Sequence, residues 1–255
     1  MGLAVADNDA FGRLINTAIG EAELIGSRDD WSVYRWQDPS GVRLVMSTRG
    51  NVIVDVLPSL AASPAARLAD VRMVNEDVAF ADVLDADGEV ATRLAAEVEQ
   101  RRLLPDGPVA GPASIVALGV EVTVHDSAEA FAASDASLLG GVHVGSGPPP
   151  HFVENGRPWP PRVAAESFIS YGVFDPGEAA EAYARISGSV VSAESRVVAA
   201  TGQRFVAAHV RCVGFDVDVC LPADNDTAPP AAGAVVAGTV FLVASLPELA
   251  PSPET

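Results

Sequence analysis

The most constraining stretch of this chain is 205–221, where two runs of strict alternation meet at Val213-Gly214. Val206, Ala208, Val210 and Cys212 alternate with Phe205, Ala207, His209 and Arg211. Phe215, Val217, Val219 and Leu221 then alternate with Asp216, Asp218 and Cys220. A period of two sends each set to one face of a sheet, and a two-residue turn decides which residues meet. The expected register pairs Cys212 with Phe215 and Val210 with Val217 on a core face. The same register pairs Arg211 with Asp216 and His209 with Asp218 on the outer face, so opposite charges meet in a register chosen by the turn alone. Cys212 and Cys220 fall on opposite faces, which excludes a disulfide between them and keeps His209, Cys212 and Cys220 from converging on zinc.

Upstream, the pattern mixes helices and strands. Asn8 or Asp9 is placed to cap a helix carrying Phe11, Leu14, Ile15 and Ala18 on one face. Residues 31–37 and 42–48 flank Asp38-Pro39-Ser40-Gly41, a hairpin turn in which proline presets one dihedral and glycine takes the left-handed one. A strand from Val52 to Leu57 is expected to stop at Pro58, and Ser63-Pro64 to open a short helix. A second hairpin begins at 78–84 and turns through Asp85-Ala86-Asp87-Gly88. Shifted by 47 residues, Asp38 falls on Asp85 and Gly41 on Gly88, which suggests a weak internal repeat. The spacing of Leu94, Val98 and Arg102, with Glu97 and Arg101 four apart, predicts a helix over 90–102. Residues 113–124 read as a long apolar strand, and Asp126 with Glu129 as a capping box. Residues 138–161 lose all periodicity and read as a Gly/Pro-rich loop. A strand over 166–174 and a capped helix start at Asp175-Pro176-Gly177-Glu178 follow.

From Tyr183 the chain is strand after strand: 185–198, 203–212, 215–221 and 234–246. The first is long and interrupted by Gly188, as when one strand bends to serve two sides of a closed sheet. In strand number and spacing this last quarter resembles an OB-fold-like module. The fold class expected is therefore α+β, predominantly antiparallel β with a few short helices and a small OB-fold-like β-barrel at the C-terminal end. Two units are expected: a mixed α+β domain over 1–175 and the barrel over 183–249, with 250–255 as a frayed tail.

Composition narrows the chemistry. All 16 basic residues are arginine, so Schiff-base, P-loop and Ser-x-x-Lys chemistries have no lysine to use. Richness in Ala, Gly, Val, Pro and Arg points to a high-GC bacterial genome. The net charge of −18 and pI of about 4.4 repel phosphate backbones and anionic lipids and favour basic partners. Two cysteines make no disulfide framework and suit a reducing compartment. Neither a signal peptide nor an 18-residue apolar span is read, so a cytoplasmic protein without membrane attachment is expected.

The candidate catalytic residues lie around the loop His143-Val-Gly-Ser146-Gly-Pro-Pro-Pro-His151, with Glu154 and Arg157 close by, and at His125, at the end of an expected strand. Histidine is suited to proton transfer near neutral pH, although no nucleophile elbow surrounds Ser146. Trp36, Tyr34, Trp159 and Arg157 are the candidate binding residues, as aromatic and cationic contact groups. Asp82, Asp85, Asp87 and Glu89 suggest oxygen ligands, but an EF-hand loop would need acids where Val83 and Leu94 stand. No metal and no cofactor is expected. The functional expectation is a non-catalytic binding or assembly protein with a protein partner or a second copy of itself, its small-molecule ligand open. The alternatives are a hydrolase-like small-molecule enzyme using the histidines and an OB-type nucleic-acid module, the last disfavoured by the charge.

Overall fold

The computed structural model describes residues 1–139, 147–156 and 158–249, and the expected tail 250–255 lies outside them. About half of the described residues are strand, the sheets are largely antiparallel and helices are few. Helix α1 (Asn8–Glu21) opens the chain. Its cap is Asp7, whose carboxylate accepts from Ala10 N at 2.7 Å; the expected Asn8 and Asp9 lie inside the first turn. A four-stranded antiparallel sheet follows in chain order: β1 (Glu23–Arg28), β2 (Trp31–Gln37), β3 (Val42–Arg49) and β4 (Val52–Leu60). Ile15 and Ala18 of α1 pack on Trp36, Leu44 and Met46 on one face of this sheet. Val33, Val45 and Leu57 on the other face pack towards Val243 of the second sheet. Pro58 does not end β4, which runs on to Leu60. β4 is the edge of its sheet, where a missing N–H breaks no ladder.

The second sheet has nine strands: β5 (Ala66–Met73), β6 (Val78–Leu84), β7 (Val90–Val98), β8 (Val109–His125), β9 (Ser167–Ser170), β10 (Tyr183–Val197), β11 (Arg204–Cys212), β12 (Phe215–Pro222) and β13 (Val235–Ser245). Its pairings close on themselves twice. One circuit runs β8–β12–β11–β10–β13 and back to β8. The other runs β8–β5–β6–β7–β13 and back. The β8–β13 pair is common to both. Within the first circuit β13 returns beside β10, giving the Greek-key order β13–β10–β11–β12. β10 pairs β13 through residues 183–189 and β11 through 189–197, changing partner next to Gly188. A Cβ on Gly188 would stand 2.4 Å from Val210, so glycine is what lets the strands cross this closely. The expected boundary between 175 and 183 falls between β9 and β10, which are hydrogen-bonded to each other.

The 205–221 hairpin has the register read from its sequence: Cys212 opposite Phe215, Val210 opposite Val217, Arg211 opposite Asp216 and His209 opposite Asp218. Cys212 and Cys220 lie on opposite faces, yet both are buried, because the face carrying Cys220 is covered by Val42, Leu60 and Phe205. Burial pushes both thiols up to about 12.

Two expected helices are strands or linkers. Residues 90–98 form β7, and only Arg101–Leu103 make a 3-10 turn. Leu94 and Val98 sit four apart, which satisfies a period of two as well as one of 3.6, and β6 supplies a pairing partner that settles the choice. The Glu97–Arg101 ion pair forms nonetheless, at 3.1 Å, across the end of the strand. Ser63-Pro64 opens no helix; 61–65 is a linker into β5. The helix after β8, α2 (Ala128–Ala133), is capped by Ser127, whose Oγ accepts from Ala130 N, and not by Asp126. The strand expected over 166–174 is the short β9 followed by a 3-10 turn at Tyr171–Phe174, and the helix start at 175–178 is a 3-10 turn, Gly177–Ala179. Among the described residues of 138–161 there is one short helix, α3 (Pro150–Glu154). The two turns of the suspected repeat are built alike: Gly41 and Gly88 both have positive φ, and each donates its N–H to the aspartate three residues before it.

A buried polar knot joins the two sheets. Glu99, just after β7, accepts from Ser59 Oγ at 2.6 Å, Ser245 Oγ at 3.0 Å and Arg43 Nη1 at 3.3 Å. Gln100 donates to Ser245 Oγ and accepts from Leu246 N, both at 3.1 Å. β3, β4, β7 and β13 are thereby held at one point in a geometry that apolar contact alone would leave adjustable. Trp31 adds a second clasp, stacked between the guanidinium groups of Arg49 and Arg102 at 4.4 and 4.5 Å.

Candidate functional site

One concavity among the described residues lies between the 61–65 linker and the outward face of β10–β12, with a volume of about 520 Å³. Its floor is small and apolar: Ala61, Ala62 and Ala65 from the linker, Ala193 and Ala207 from the sheet. Its polar wall is His209, Asp218, Ser192, Glu194 and Arg196. The hairpin register places His209 opposite Asp218 and the β10–β11 register places Ser192 opposite His209. The lining is evenly divided between apolar side chains and polar or charged ones, so a ligand here would be held chiefly by polar contacts over an apolar floor.

The wall is internally paired. His209 Nδ1 stands 3.0 Å from Asp218 Oδ1, and Nε2 stands 3.4 Å from Asp216 Oδ2. Asp216 also pairs with Arg211 at 3.5 Å. Arg196 binds Glu194 at 2.7 Å and donates to Ser40 O at 3.1 Å. That last contact is placed by the 38–41 turn, which Asp38 anchors by accepting from Ser40 N, Ser40 Oγ, Ala199 N and Ala200 N. Burial alone would raise the Asp38 carboxyl, but these hydrogen bonds hold it below the ordinary aspartate value. Asp218 engages His209 through Oδ1 and Glu194 engages Arg196 through Oε1, and both residues line the cleft.

A second concavity, about 540 Å³, is an acidic basin. Glu76, Asp77, Glu97, Glu178 and Glu181 line it, and no arginine does. Asn75 braces its walls by donating to Gly177 O and Ala180 O at 3.2 and 2.9 Å while accepting from Asp77 N and Val78 N. Burial pushes the Glu97 carboxyl up to about 7, outweighing Arg101, with Asp77 and Asp55 adding to the rise. The folded state therefore holds a proton that the unfolded chain releases near 4.5, so Glu97 costs stability as pH rises from about 4.5 to about 7. With the pairing to Arg101 and solvent access discounted, the loss is on the order of 1–2 kcal/mol. Urea midpoints across that window are expected to fall in the native chain and to stay flatter in Glu97→Gln. Equal slopes would contradict the assignment.

The structure distributes the sequence candidates. His143, Ser146 and Arg157 lie outside the described residues, and His151 lies in α3 with its side chain outside them. His125 ends β8, edge-on to buried Phe131 at 5.4 Å and 3.1 Å from Thr123 Oγ1. Trp36 is buried beneath α1 and donates its indole N–H to Glu21 at 3.1 Å. Tyr34 is half-buried between Leu24 and Met46 in the four-stranded sheet, whereas Trp159 sits edge-on to Phe152 at 5.1 Å. Among the described residues no cluster of three or more metal-binding side chains occurs; Asp82 is engaged by Arg93, and Asp85 closes its own turn. No helix of the described residues is long and apolar enough to cross a membrane.

The residues of the cleft were legible only in part. The alternation predicts the His209–Asp218 pair, but as a surface contact. Nothing in the order of residues signals that Ala61–Ala65 and Glu194–Arg196 would be brought over it. Comparison with known protein families, curated proteins and solved structures finds no match to this chain.

Proposed function

We propose that this chain is a non-catalytic binding protein whose cleft at His209 and Asp218 holds a small ligand bearing an amine or guanidinium together with hydroxyl groups. One observation carries the reading: both ring nitrogens of His209 face aspartates, at 3.0 and 3.4 Å. Nδ1 is hydrogen-bonded to Asp218 and Nε2 lies against the Asp216 carboxylate, with no described hydroxyl or thiol hydrogen-bonded to it as a nucleophile would be, which supports a binding role for this imidazole. Ser192, opposite it, makes no hydrogen bond to it, and the cysteine thiols are buried and protonated. The carboxylates of Asp218 and Glu194, which line the cleft, would accept from a cationic head, and the exposed Ser192 hydroxyl would exchange a hydrogen bond with a ligand hydroxyl.

We read the circuit β8–β12–β11–β10–β13 as a small OB-like barrel that serves as the scaffold of this cleft. Its arginines support that use over nucleic-acid binding: Arg196, Arg204 and Arg211 engage Glu194, Asn225 and Asp216, so no basic groove is presented. A reducing, cytoplasmic setting fits two free, buried cysteines.

The test is calorimetric titration with agmatine, arginine, glucosamine and spermidine, with glucose as the uncharged control. At least one cationic compound is expected to bind where glucose does not, and Asp218→Asn to weaken it about tenfold or more through loss of a charge-assisted hydrogen bond. Absence of binding by all four, affinity unchanged in Asp218→Asn, or chemical turnover of the bound compound would each overturn the proposal.

A further inference from the structure

Among the described residues β4 has one hydrogen-bonded strand neighbour, β3, so its other backbone edge is open. The open half reads Val52-Ile53-Val54-Asp55-Val56, strongly β-forming, with Val52 and Val54 64% and 52% exposed. Helix α1 packs on the face of the sheet that Ile53 and Val56 share. Phe11, 45% exposed, and Ile15 form one wall of a groove of about 520 Å³, and Ile53 to Val56 form the other. Single exposed valines are ordinary, but an open strand edge beside a helix with an apolar trough between them is the geometry that accepts an added strand.

The two sides of that edge differ in chemistry. Ile53 and Val56 face α1, with a bulge at Val54 keeping them in phase. Asp55 faces the other way, onto Arg101. Arg101 also reaches Glu97 at 3.1 Å and Asp77 at 3.9 Å, which are residues of the acidic basin. Groove and basin are thus joined through one arginine. A strand added along β4 would meet apolar side chains on one side and, on the other, Asp55 paired with Arg101 and the basin in which Arg101 and Arg102 pair with Glu97 and Asp77 while Glu76, Glu178 and Glu181 add further negative charge. A second copy of this chain would bring another −18 of charge and no lysine to that surface, and is repelled where a basic chain is complementary.

We propose that the open edge of β4 accepts an extended segment of a basic partner protein as a fifth strand, its apolar side chains in the α1 groove and its arginine or lysine side chains toward Asp55 and the basin. This surface is separate from the His209 cleft and does not depend on it.

The experiment is fluorescence anisotropy of the full chain with a labelled peptide of alternating valine and arginine. Valine–glutamate and glycine–arginine peptides of equal length are the controls. The valine–arginine peptide is expected to bind at least about tenfold more tightly than either control. Phe11→Ala and Asp77→Asn, both at exposed side chains, are each expected to weaken it by about threefold to tenfold with circular dichroism unchanged. Amide exchange at Val52–Val56 is expected to slow when the peptide binds. Equal affinity for the glycine–arginine peptide would mean charge attraction alone and would overturn the proposal. So would unchanged exchange at β4, or a Phe11-dependent dimer in sedimentation, which would assign the edge to a second copy.

Discussion

Glu99→Ala is expected to lower the unfolding free energy by about 3–5 kcal/mol, read as a shift in urea midpoint without a change in slope. The Glu99 side chain is fully buried and accepts from two serines and Arg43. Removing it leaves Arg43, only 14% exposed, without its counter-charge, the buried Ser59 hydroxyl without its acceptor and Ser245 with Gln100 alone. Against a total stability of about 5–15 kcal/mol this is a large fraction. The double change Glu99→Leu with Arg43→Met is expected to recover most of the loss, because the penalty comes from the uncompensated charge and not from the absence of the pair. If the double variant is as unstable as the single one, the knot holds the sheets together by attraction and this account of it is wrong.

Gly238→Ala is expected to cost more than about 3 kcal/mol, or to prevent folding. Gly238 lies in β13 opposite both Ile186 of β10 and Val122 of β8, with φ of +145°. A Cβ there would stand 2.0 Å from the Glu121 carbonyl oxygen and 2.8 Å from Val122 Cα, both backbone atoms that cannot rotate away. β13 belongs to both closed circuits of the nine-stranded sheet, so displacing it opens both at once. Gly12→Ala is the control. Gly12 lies inside α1 with open space around its Cβ position, and alanine there is expected to stabilise by about 0.5–1 kcal/mol. Thermal melts of the two variants should move in opposite directions.

The parts of this protein legible in its sequence are those in which neighbours along the chain decide the structure. The Asp38–Gly41 and Asp85–Gly88 turns, the 205–221 register and the partner change at Gly188 all depend on turn dihedrals and period-two alternation within about twenty residues. Where two periods fit the same residues, the sequence is silent: Leu94 and Val98 suit a helix face and a strand face equally, and only β6 alongside selects the strand. Pro58 reads as a stop because proline breaks a ladder, but whether there is a ladder on that side depends on β4 being an edge.

The candidate sites divide the same way. His209 and Asp218 meet because one hairpin brings them together, and that much is local. The cleft around them requires a linker from residues 61–65 and a strand from 192–196 to arrive over the same face. The acidic basin requires residues 75–78, 97 and 178–183 to converge, and the knot at Glu99 requires β3, β4 and β13. Glu99-Gln100-Arg101 falls inside the helix expected over 90–102, and in the structure all three side chains are buried between the sheets. Alternation and turn chemistry by themselves determined a strand-rich, glycine-punctuated chain with one hairpin known to the residue. Which faces were covered, which acids were drawn together and which edge was left open were decided only by the closure of β8 and β13 into two circuits, because burial and field are set by what lies across in space.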